Sequence, residues 1–253
     1  CLPKEWAEKN GLNRGSVVAI TETSDGLLLI NPKYDVERTL RTVVVQPSPY
    51  LDREIIGKYL LGYDIIRVET KKRLSPEDRE RVKGATRRLI GLEIIEEDYS
   101  RIVLQCLLEP SSFPPEKILR REYLIAAGMH RDAVAAFIDG DVHLSTNVMA
   151  RDDEVNRLYF LLVRLLRTVI QNPTLGEKLG IRPIDCLDYR LVGSLVESIG
   201  DQSVKIASHA ASLKGIKLSK ELGSLFLELY TEVYKAHETA LNALFSHNIS
   251  MAE

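Results

Sequence analysis

The stretch Leu158-Tyr-Phe-Leu-Leu-Val-Arg-Leu-Leu166 is apolar on nearly every side and is interrupted only by Arg164. A helix that is hydrophobic all round must be surrounded by other elements, so this stretch predicts the centre of a helical bundle. Working outward, its helix starts near Asp141 and runs to about Gln171, where Asn172-Pro173 ends it. Upstream, Leu119, Tyr123, Ala126, His130, Ala133 and Phe137 recur at three- and four-residue steps, the apolar stripe of a helix from about Glu116 to Ile138. Downstream, Ile181-Arg-Pro183 leads into a third helix, about Ile184 to Leu213, stopped by Gly215. Ser219 can cap a fourth that runs to about His247. Four long helices on short connections predict an antiparallel bundle over 116–253.

Before the bundle stands Pro110-Ser-Ser-Phe-Pro-Pro115, a boundary that continues neither a strand nor a helix. Residues 35–110 read as a small α/β module. Its strands are Leu40–Val45, Asp64–Glu69, Glu93–Glu97 and Ile102–Leu108; its helices are Asp52–Leu61 and one capped by Ser75-Pro76. The order predicts a small sheet with helices on one face. Residues 1–34 read as a short helix, closed at Asn10-Gly11, and a hairpin of Val17–Ile20 and Leu27–Ile30 around Ser24-Asp-Gly26. Two strands alone bury too little to stand unaided, which predicts a homodimer or larger assembly. The predicted fold class is therefore multidomain α+β, divided at 1–34, 35–110 and 116–253. The chain begins with Cys1 rather than Met, which reads as a trimmed start with part of the first domain preceding it.

Composition excludes several classes of function. A net charge of −2 and a pI near 6.3 give no global attraction to nucleic acid or to an anionic membrane. No segment approaches the ~20 apolar residues of a membrane span. Cys1, Cys106 and Cys186 are far apart and form no zinc or disulfide pattern, which fits a reducing, cytoplasmic setting. There is no Gly-rich phosphate loop, no His-Glu-x-x-His, no nucleophile elbow and no Glu-x-x-His pair of a di-iron bundle.

The chemistry-bearing pattern is Glu197-Ser-Ile-Gly-Asp201 in the third helix, which sets two carboxylates one turn apart on one face. Placing residues at 100° steps puts Leu191, Leu195, Ile199 and Ile206 on the apolar stripe, with the carboxylates nearly opposite. Gly193, Gly200, Ala207 and Ala211 form a small-residue seam between the faces, where another helix can approach. Asp152-Asp-Glu154 lies in the second helix, and Asp152 borders its packed stripe. Asp152, Glu197 and Asp201 are thus the candidate ligands of a divalent cation or iron. A plain solvated face is the alternative for each. His130, on an apolar stripe, reads as a core or interhelical residue.

Two stretches resemble known families. Leu2-Pro-Lys-Glu-Trp-Ala, Asn10-Gly-Leu-Asn-Arg-Gly-Ser-Val-Val and Asp25-Gly-Leu-Leu-Leu-Ile resemble the AbrB/MazE/SpoVT swapped-hairpin domains. That resemblance implies dimerisation and DNA binding, with many basic contacts on a strand before Cys1. The helical half resembles the PhoU phosphate-uptake regulators. Arg151-Asp-Asp-Glu-Val-Asn-Arg-Leu-Tyr-Phe and Leu195-Val-Glu-Ser-Ile-Gly-Asp-Gln carry the likeness, and the second matches the family's E-x-x-x-D metal motif. Ser198 and Gln202 stand where that motif has Arg and His, and Asn156 where many relatives have Asp, so the resemblance implies weak metal binding. The combination resembles archaeal PhoU-type regulators. It implies a cytoplasmic, non-enzymatic regulator whose partners are DNA and components of the phosphate transporter or sensor. The alternatives are an antitoxin-like repressor whose bundle only oligomerises, and a metal-dependent enzyme, which would need a nucleophile or base beside Glu197 that the sequence does not show.

Overall fold

A computed structural model describes residues 2–22, 26–32, 40–213 and 215–252. The chain opens with the short helix α1 (Lys4–Lys9) and an antiparallel pair, β1 (Ala19–Glu22) and β2 (Leu28–Asn31), in which Ile20 faces Ile30. The strands begin one or two residues later than the sequence suggests, and Ser24 and Asp25 of the expected turn lie outside the described residues. Ile20, Leu27 and Leu28 are exposed.

The α/β module follows as β3 (Thr42–Val45), α2 (Leu51–Leu60), β4 (Ile65–Glu69), α3 (Pro76–Arg87), β5 (Leu92–Glu97) and β6 (Arg101–Cys106). The sheet order is β3-β4-β6-β5, with β3 parallel to β4 and the other pairs antiparallel. Ser75 starts α3 by accepting a hydrogen bond from the Asp78 amide at 3.0 Å, with Pro76 at the first helical position. Alternation puts Ile66, Val68, Ile102 and Leu104 on one sheet face, buried against Leu51, Ile55 and Tyr59 of α2 and Val82 of α3. Each such aliphatic side chain contributes roughly 1.5–3 kcal/mol.

A 3₁₀ turn at Pro110–Ser112 leads into α4 (Pro115–Asp139) and α5 (Val142–Gln171). Gly140 ends α4 at φ 67°, where a Cβ would stand 2.7 Å from the Ile216 carbonyl oxygen, and Asp141 caps α5. A short helix the sequence reading lacks, α6 (Pro173–Leu179), is capped by Asn172. It precedes α7 (Asp185–Ser212) and α8 (Lys220–Ser246). The core of the helical half is the three-helix set α4, α5 and α7, with Leu158, Leu161, Leu162, Leu165 and Leu166 of α5 buried among them. The fourth helix lies along α4 in the opposite direction. Tyr123 Oη is 2.9 Å from His237 Nδ1, the His130 and Tyr230 rings are 5.0 Å apart, and those of Phe137 and Phe226 5.1 Å apart. His130 is thus an interhelical residue.

The orientation of α7 differs from the wheel reading. Leu191 and Leu195 are 62% and 57% exposed, while Gly193, Val196, Gly200, Ser203 and Ala207 are buried. The small-residue seam is itself the core face. A Cβ on Gly193 would stand 2.6 Å from Leu162 Cδ2, so the backbones of α7 and α5 come closer than a leucine seam permits. Only Ile199 and Ile206 of the expected stripe pack against the core.

Candidate functional site

Turning α7 this way brings Glu197 and Asp201 to the flank of the buried seam rather than opposite it. Glu197 is half-buried and Asp201 exposed. Asp152 is half-buried on α5, where Asn156 Nδ2 donates to its Oδ2 at 2.8 Å. The structure brings the three sequence-derived residues into one electrostatic neighbourhood. Burial, then the charges of Asp201 and Asp152, raise the proton affinity of Glu197, and Arg190 opposes them. Burial, then Asp201 and Asp153, do the same for Asp152, opposed by the Asn156 hydrogen bond and by Arg88.

A fourth carboxylate joins them. Glu122 of α4 is fully buried, and neither of its oxygens has a hydrogen-bond partner. Burial, reinforced by the charge of Glu197 and opposed by Arg190, pushes its carboxyl up to about 9. Glu122 is therefore protonated and neutral at physiological pH. Gly193 lies beside it: a Cβ there would make an ordinary 3.8 Å contact with Glu122 Oε2. Glu122 is not among the candidate residues that the sequence singles out, although it lies within the α4 stripe, three residues after Leu119 and four before Ala126.

The donor set is all carboxylate oxygen, which suits a hard divalent cation or ferrous iron, and the orphaned oxygens of Glu122 fit the same chemistry. Glu197, Asp201 and Asp152, with Glu122 behind them, are the residues that would hold such an ion. As the side chains stand, no three His, Cys, Asp or Glu among the described residues are gathered closely enough to enclose a metal. An ion would have to draw these side chains inward. No serine, cysteine or histidine takes part in the set, and no described helix is long and apolar enough to cross a membrane.

Comparison with known families bears on both ends of the chain. The PhoU domain model matches residues 119–210, which take in nearly all of α4, the whole of α5 and α6 and most of α7, with all four carboxylates. The model described as antidote-toxin recognition MazE, bacterial antitoxin, matches residues 2–36. No curated protein and no solved structure matches the chain. The chain thus joins a MazE-like segment at its start to a PhoU-like helical region, with an α/β module between them.

Proposed function

We propose that the protein is a non-enzymatic, cytoplasmic regulator of phosphate uptake, acting as a homodimer that contacts DNA through the MazE-like segment and carries its sensing or partner-binding surface on the PhoU-like helices. The observation that carries this reading is the presence of both family matches on one chain, at 2–36 and 119–210. On the helices, weak binding of a divalent cation or iron at Glu197, Asp201 and Asp152 would change the charge of the surface offered to a phosphate transporter or sensor component. The reading is tested by duplex-DNA binding of the full-length gene product, upstream of its phosphate-transporter genes, with and without residues 2–36. Binding that needs this segment supports it; binding indifferent to the segment contradicts it.

The description of the second family favours one other reading, an antitoxin-like protein whose helices only oligomerise. Suppression of a co-expressed toxin's growth arrest by residues 1–40 alone would favour that alternative.

A further inference from the structure

We propose that the groove between the α/β module and the helical bundle binds a small inorganic oxyanion of the phosphate class. The groove has a volume of about 360 Å3, and its lining includes Lys83, Thr86 and Arg87 of α3, Glu93 and Ile94 of β5, and Arg157 of α5. Three cations from two parts of the chain converge there against one carboxylate. Lys83 is half-buried, and among the described residues neither it nor Arg157 has an ion-pair partner. Arg87 reaches the exposed Glu80, at 3.4 Å. Three cations against Glu93 in the groove and Glu80 beside Arg87 leave one positive charge in excess, and a multivalent anion seated between the cations removes their mutual repulsion. Guanidinium forks and an ammonium are the groups that recognise phosphate oxygens.

The groove is small and no aromatic ring lines it, so it offers no stacking surface for a nucleotide base. This favours inorganic phosphate or pyrophosphate. An anion held by Lys83 and Arg87 on one side and Arg157 on the other would draw the module against α5. As the ligand site of a phosphate-responsive protein the groove rests on the reading above, but its shape and charge are independent of that reading.

Isothermal titration of the full chain with sodium pyrophosphate, sodium phosphate and ADP, in about 0.15 M chloride, tests the proposal. The expected result is saturable one-site binding of pyrophosphate, tighter than that of ADP. Arg157→Gln and Lys83→Gln should each weaken it about tenfold, and Arg167→Gln, at an exposed cation elsewhere on α5, should leave it unchanged. Matching thermal melts establish that the variants fold. Absence of saturable binding by phosphate and pyrophosphate, a titration that neither groove variant alters, or tighter binding of ADP would each overturn it. A silent titration of a protein whose gene still controls phosphate uptake overturns the groove alone. Binding in the groove by a protein whose gene has no effect on uptake upholds the groove and removes the regulatory reading.

Discussion

Nη2 of Arg164, on α5, stands 3.4 Å from Oδ1 of Asp64, at the entry to β4, with the two residues only 4% and 3% exposed. Nη1 of the same guanidinium donates to the carbonyl oxygens of Tyr59, at 2.7 Å, and Tyr63, at 2.9 Å. The positive group therefore meets both a carboxylate and the carbonyl-bearing end of α2, where cations are favoured. This is how the α/β module docks on the central helix of the bundle. Asp64 is held in turn by the Arg41 amide, which donates to its Oδ2 at 2.9 Å.

Arg164→Met takes a guanidinium counter-charge away from a buried carboxylate and should destabilise the protein by about 3–5 kcal/mol in urea denaturation. Adding Asp64→Asn to Arg164→Met should recover part of that loss. Strictly additive effects of the two substitutions would show that the pair is uncoupled.

Glu122 gives a pH dependence with a defined sign. Its folded-state pKa, about 9, lies above the ordinary value of 4.5, so the unfolded chain releases this proton first. The stability it allows is complete below about pH 4.5 and is lost progressively as pH rises toward 9. Glu122→Gln removes that loss and should stabilise the protein by on the order of 1–3 kcal/mol near pH 7.5, with little effect at pH 4. Parallel stability–pH curves for the two proteins would contradict the assignment.

The two buried glycines of α7 should respond differently to alanine. A Cβ at Gly200 finds Val155 Cγ1 at an ordinary 3.4 Å, whereas at Gly193 it meets Leu162 Cδ2 at 2.6 Å inside the core. Alanine is favoured over glycine in a helix by up to about 1 kcal/mol. Gly200→Ala should keep much of that gain. Gly193→Ala should come out less stable than Gly200→Ala by about 1–3 kcal/mol, measured by denaturant midpoint.

For the carboxylate set, titration with Mn²⁺ or Fe²⁺ should show weak binding that disappears in Glu197→Ala/Asp201→Ala and is reduced by Asp152→Asn. Indistinguishable curves for wild type and the double variant would make these side chains a solvated or partner-facing surface and end the metal assignment.

Much of the architecture was legible because it is written in local patterns. Ser75-Pro76 starts α3, α5 starts at Asp141, and β4 alternates as a half-buried strand must. What failed was the face of α7. A hydrophobicity wheel weights Leu191 and Leu195, but close packing of helix backbones is won by the residues with least side chain, Gly193 and Gly200. The helix therefore turned its glycines inward and its leucines outward. The carboxylates moved with them, from the far side to the edge of the core. Arg164 was visible only as a break in an apolar run, because its partner lies a hundred residues earlier and no periodicity links the two. Glu122 was concealed by neighbours that made its stripe look purely apolar. Asp152 was legible as a border residue for the opposite reason: Tyr159 and Val163 mark where the packed stripe of α5 runs beside it.

The central claim is that this chain ties phosphate supply to a cellular response. Its most direct test is uptake of radiolabelled phosphate, together with the transcript level of the phosphate transporter, in cells with and without the gene, grown in replete and in phosphate-poor medium. The account predicts that loss of the gene blunts the difference between the two media in both readouts, and that a copy lacking residues 2–36 fails to restore the transcript response. An unchanged response of uptake and transcript to phosphate in cells lacking the gene would contradict it.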